Sequence, residues 1–111
     1  MAETSLVERY LEEGLRQDEH PGIVFVDGAA GRRPRVAGTG LDVWEIVETF
    51  LAEDRSIEMT ATYLATPTSV VRVAVGYYAD HRAEIDAWSE RNQRLADRAE
   101  ASAQRLQTLI E

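Results

Sequence analysis

One hundred and eleven residues suit a single domain of ordinary size. Twenty acidic residues against twelve basic ones leave a formal net charge of -8, which repels free nucleic acid unless cations gather on one face. Without cysteine, disulfides and thiolate metal sites are excluded together and a reducing cytoplasm fits best, while no apolar run approaches the roughly 18–20 residues of a membrane span.

The start, Met1-Ala2-Glu3-Thr4-Ser5, has neither the basic opening nor the apolar stretch of a signal peptide. A first helix is expected from Thr4 to about Gln17, where Ser5 and Glu8 form a capping box and Leu6, Val7, Tyr10, Leu11 and Leu15 recur at helical spacing. Pro21-Gly22 punctuates a turn, and the β-branched run Ile23-Val24-Phe25-Val26 predicts a strand. A return strand is expected from Arg33 to Val36, confined by Pro34 to an edge. Such a pair is too little sheet to stand alone.

Asp42 as N-cap with Glu45 opens the next helix, to about Glu53, and Val43, Trp44, Val47, Phe50 and Leu51 supply its apolar stripe. Ser56 caps a short helix through Leu64. Ala65-Thr66-Pro67 breaks it, with Thr66 expected as the N-cap and Pro67 at the first helical position. From Pro67 the pattern stays helical through Val71, Ala74, Val75, Tyr78, Ile85 and Trp88.

The segment from Ile57 to Val75 has the spacing of a helix-turn-helix. Ala61 is small enough for a close crossing, with Ala74 as counterpart, and Leu64, Val71 and Val75 fill the angle. In such a unit the first turns of the second helix face outward, so Thr66, Thr68, Ser69 and Arg72 are the candidate contacts to phosphates or base edges. Arg32, Arg33 and Arg35, the local basic excess, have two readings. They are a wing lying along a phosphate backbone, or a loop whose arginines offset nearby carboxylates.

His20 to Phe25, then Arg33-Pro34-Arg35-Val36-Ala37-Gly38-Thr39, then a helix and a helix-turn-helix ending in Gly76-Tyr77-Tyr78, resembles the prokaryotic domain of unknown function 433 family. The similarity covers roughly Pro21 to Trp88 and rests on the motif P-x-V-x-G-T-R, with Gly40 standing where the family usually has arginine. The resemblance implies a VapB-type antitoxin, paired with a PIN-like ribonuclease toxin, or a transcriptional regulator.

Gly38-Thr39-Gly40 could cradle a phosphate, but a phosphate loop needs a lysine, which this chain lacks, and Asp42 and Glu45 would repel an anion. These residues are better explained as the lead-in to the helix. Catalysis has few candidates. His20 lies in a turn and His81 on a helix, neither with a second histidine at metal-ligand spacing, so no metal or other cofactor is expected.

Beyond Arg82, the residues Ile85, Trp88, Asn92, Leu95, Ala99, Ser102, Leu106 and Leu109 step by three and four, a coiled-coil-like seam interrupted by polar positions. Such a helix needs a partner surface, with Ile85, Trp88, Leu95, Leu106 and Leu109 as the contacts. The expected fold is mainly α: a helix-turn-helix core with a small β-hairpin and a long C-terminal helix. The N-terminal helix and linker take residues 1–20, the helix-turn-helix domain 21–88 and the helical tail 89–111. The expected function is a non-enzymatic cytoplasmic antitoxin, dimeric, that binds a toxin protein and operator DNA. The alternatives are a stand-alone DNA-binding regulator and a dimerisation module. A basic face built by Arg32, Arg33, Arg35 and Arg72 favours the regulator, and an acidic one the antitoxin.

Overall fold

A computed structural model describes residues 2–111, with side chains from residue 6 onward. Among the described residues the chain is mainly α, with five helices and one antiparallel hairpin: α1 (Ala2–Glu19), β1 (Ile23–Gly28), β2 (Gly31–Val36), α2 (Val43–Ala52), α3 (Ile57–Leu64), α4 (Thr68–Asp80) and α5 (Arg82–Ile110). None of these helices is long and apolar enough to cross a membrane.

The core forms where α2, α3, α4 and the start of α5 meet. Val43, Ile46 and Val47 of α2, Ala61 of α3, Val71, Ala74 and Tyr77 of α4 and Ile85 of α5 are buried together, with Ile23 and Val36 of the hairpin closing one side. Each large apolar side chain removed from water contributes about 1.5–3 kcal/mol, which offsets the ordering of short helices that are marginal alone. The hairpin lies on α4. Its register runs from Ile23 opposite Val36 to Gly28 opposite Gly31, two residues beyond the expected strand ends on each side of the turn. Pro34 is tolerated because β2 pairs with β1 alone in this two-stranded sheet.

Local signals account for the middle helices. Ser56 Oγ accepts the Met59 N–H at 3.1 Å, capping α3. At its other end Ala65 adopts a left-handed backbone (φ 54°), and its N–H reaches back to the carbonyls of α3. This leaves a tight turn before α4. Pro67, not Thr66, occupies the N-cap position, with extended backbone (φ -64°, ψ 151°). The hydroxyl of Thr66 is buried instead, without a hydrogen-bond partner among the described residues.

Two further expectations are corrected. The helix predicted to run on from Pro67 is interrupted at His81, whose backbone (φ -133°, ψ 45°) separates α4 from α5. No glycine or proline marks the break. The His81 ring packs on Tyr77 at a centroid distance of 4.5 Å, so tertiary packing holds it. At the N-terminus, α1 starts before Ser5, whose expected capping side chain lies outside the described residues.

A polar cluster joins the ends of three helices. Arg16 of α1 donates to Tyr77 Oη at 2.9 Å and to Glu84 Oε2 at 2.5 Å, while the Tyr77 hydroxyl donates to Glu84 Oε1 at 2.6 Å. Burial, and then the Glu84 carboxylate, push the Tyr77 phenol above its ordinary range. Unfolding exposes a phenol that ionises near pH 10, whereas the native one holds its proton. Stability from this source is therefore complete below about pH 10 and falls as pH rises beyond it. Tyr77→Phe is expected to flatten that alkaline decline and to cost about 1.5–3 kcal/mol at neutral pH, since it strips a charged cluster of its hydroxyl. Urea unfolding at pH 7, 9 and 11 reads both effects; an unchanged alkaline slope would separate Tyr77 from it.

Ala61 is 5% exposed and lies on α3 against α4. Ala61→Leu is expected to overpack this crossing and lower stability by about 1–3 kcal/mol. A wild-type melting temperature in the variant would place Ala61 away from the contact.

Candidate functional site

The hairpin, the first turn of α2 and the middle of α5 enclose an open groove of about 280 Å³. Its floor is electrostatic. Asp42, 4% exposed, receives the guanidinium of Arg33 on Oδ2, that of Arg35 on Oδ1 at 2.9 Å, and the Trp44 indole N–H on Oδ2 at 3.1 Å. The expected capping role of Asp42 is met largely by its backbone. Its carbonyl accepts from Glu45 and Ile46, and its N–H donates to Glu45 Oε1 at 3.0 Å. A buried carboxylate between two cations avoids the cost of an unpaired charge, so the fold binds these arginines to itself.

Arg32 has its own partners. It donates in bidentate fashion to Glu13 of α1, at 2.6 and 2.8 Å, reaches Asp27 at 3.2 Å, and lies 5.7 Å from the centre of the Tyr10 ring. All three hairpin arginines therefore serve as internal cations. Of the two sequence readings, the geometry is that of arginines offsetting carboxylates. The remaining candidates on the helix-turn-helix divide. Thr68, Ser69 and Arg72 are exposed on the first turns of α4, whereas the Thr66 hydroxyl is buried.

The groove also brings together residues assigned from sequence to different roles: Arg33 and Arg35 face Trp88 and Leu95 across it. Trp88 is half-buried against the hairpin tip, its ring 3.4 Å from where a β-carbon on Gly31 would lie. Gly31 takes φ 126°, so a side chain there would strain the backbone and meet the indole. Arg91 locks the same contact, donating to the Ala30 carbonyl at 2.9 Å with its guanidinium 5.8 Å from the Trp88 ring centre.

Ile85 departs from expectation. It is fully buried in the core and cannot reach a partner. The other predicted contacts lie along α5 outside the core, with Leu95 50%, Leu106 60% and Leu109 84% exposed. Beside Leu95 stand Arg91, Arg94 and Arg98, spaced by three and four on one side of the helix. Apolar periodicity does not reveal this basic edge, but the same helical count applied to arginine does. A second apolar stripe, Val7, Leu11 and Leu15, is exposed on α1.

Comparison with protein-family models, with curated proteins and with solved structures finds no match.

The groove predicts a specific dependence on Asp42. Asp42→Ala is expected to free Arg33 and Arg35, remove the Trp44 contact and lower stability by about 3–5 kcal/mol, the range for breaking one side of a buried ion pair. It should also strengthen retention on heparin, since two cations are returned to the surface. Urea unfolding and a salt gradient measure the two effects; unchanged values for both would show that Asp42 does not hold these arginines.

Proposed function

We propose that this chain is a regulatory binding protein of the cytoplasm, the antitoxin of a toxin–antitoxin pair, which occupies a PIN-like ribonuclease toxin. The observation that carries this reading is the apolar stripe of α5 beyond the core, Leu95, Leu106 and Leu109, left uncovered by the rest of the described chain. A helix in this state gains its packing from a partner, and leucines at helical spacing suit a hydrophobic groove. Arg94 and Arg98 beside the stripe fit a groove whose rim carries carboxylates.

The acidic surplus lies elsewhere. Up to residue 64 thirteen acidic residues stand against six arginines; beyond it the numbers are seven and six. The N-terminal half therefore supplies long-range attraction towards the basic surface of a nucleic-acid enzyme, and the tail supplies the anchor. The exposed stripe of α1 suits a homodimer contact. Function by binding, without a catalytic residue of its own, follows from this reading.

A second reading, a DNA-binding regulator, draws on Thr68, Ser69 and Arg72, exposed at the start of the second helix of the helix-turn-helix. The internal pairing of Arg32, Arg33 and Arg35 weighs against it as the main activity.

The test is co-expression with the product of the adjacent gene. Leu95→Asp together with Leu106→Asp is expected to abolish protection from the toxin and co-purification, while the circular dichroism of the core is retained. Each aspartate would place an unpaired carboxylate in an apolar groove, at a cost of several kcal/mol. Neutralisation and co-purification at the wild-type level would show that the tail is not the binding element.

A further inference from the structure

We propose that His20 and His81, with the carboxylate of Glu19, bind a divalent transition-metal ion, zinc by the chemistry of the donors. The sequence separates the two histidines widely, yet the fold sets their rings 5.7 Å apart, centre to centre. One ligand atom from each of Glu19, His20 and His81 can be chosen so that all lie within 4.8 Å of one another. Two donors about 2.0–2.1 Å from a tetrahedral zinc are separated by about 3.4 Å. Side-chain rotation of an ångström or so therefore closes the set around an ion.

The second observation is the state of the imidazoles. Nε2 of His20 and Nε2 of His81 are both buried and neither has a hydrogen-bond partner among the described residues. Buried polar atoms are normally paired; the His81 nitrogen has no partner among the described residues and His20 Nε2 meets only the Asp80 carboxylate, an arrangement a shared ligand would complete. Asp80 Oδ2 lies 2.9 Å from His20 Nε2, within ion-pair distance, which puts a second carboxylate at the edge of the site. Tyr77 packs against both rings, at centroid distances of 5.3 and 4.5 Å, and holds them in place.

Donor type and access fit the same ion. Two imidazoles with a carboxylate favour zinc, or nickel and copper, over magnesium and calcium, which take oxygen ligands. A cleft of about 260 Å³ reaches His20 between Pro21 and the α4 residues Arg72, Val73 and Gly76. Arg72 is the cation facing this cleft, exposed at its margin. Arg16, next to Tyr77, is neutralised by Glu12 and Glu84.

The position gives the ion a role. Glu19 ends α1, His20 follows it directly, and His81 is the break between α4 and α5. A metal there ties the N-terminal helix to the point from which α5 departs.

The full-length chain, freed of metal by chelation, is titrated with Zn²⁺ in competition with a chromogenic chelator, and separately with Co²⁺ while visible absorption is recorded. One site per chain is expected, with a rise in melting temperature on adding zinc and a cobalt d–d band. His20→Gln, which lies outside the helices, is expected to weaken zinc binding at least about tenfold and abolish the cobalt band, with the circular dichroism unchanged. His81→Gln should act alike, and Glu19→Gln should weaken binding by a smaller factor. Zinc affinity unchanged in His20→Gln, or no binding by the wild-type chain, overturns the proposal.

Discussion

The carboxylate of Asp42 lies where the hairpin, the first turn of α2 and the groove meet, and three side chains depend on it: the guanidinium groups of Arg33 and Arg35 and the indole of Trp44. Because it is buried, its charge has to be matched locally, and the hairpin arginines supply that match. Their attachment aligns β2 with the start of α2, as the bridge between Arg35 and Asp42 also records. The hairpin is then fixed firmly enough for Gly31 to receive the Trp88 ring and for the Ala30 carbonyl to accept from Arg91. One ion cluster thus positions the groove and the root of α5.

The same cluster decides what the surface can offer. A helix-turn-helix beside an arginine-rich hairpin suggests a nucleic-acid binder on inspection, yet Arg32, Arg33 and Arg35 are committed to Glu13, Asp27 and Asp42. The apolar surface left uncovered lies on α1 and along α5. The molecule measures 55 × 44 × 23 Å and has a radius of gyration of 16.8 Å, against about 13 Å for a compact domain of this length. The difference is largely α5, whose 29 residues extend roughly 43 Å. We read such an arm as a docking element, which is why binding to another protein is preferred to a free basic face.

Much of the fold was legible in the sequence because its signals are local. Ser56 and the left-handed residue after Leu64 bound α3 by chemistry that operates over three or four positions. Val43, Val47, Val71 and Ala74 reveal their burial through helical period. The break at His81 was not legible. It carries no proline or glycine and arises from Tyr77 and His20 packing around it. The burial of Ile85 was legible in part, since at helical period it shares the face of Val71 and Ala74, although the apolar seam of the tail begins at the same residue. The partners of the hairpin arginines were half legible: the charges are visible, but their matching to Glu13 and Asp42 is set by how α1 and α2 lie on the hairpin.

The central claim is that α5 beyond the core is the docking element and the hairpin arginines are structural. Hydrogen exchange on the full-length chain, alone and with the adjacent gene product bound, tests it most directly. Backbone amides from about Gln93 to Leu109 should exchange rapidly in the free protein and become protected in the complex, while those of the hairpin change little. Protection confined to the hairpin and the first turns of α4, with the tail still exchanging freely, would contradict the account.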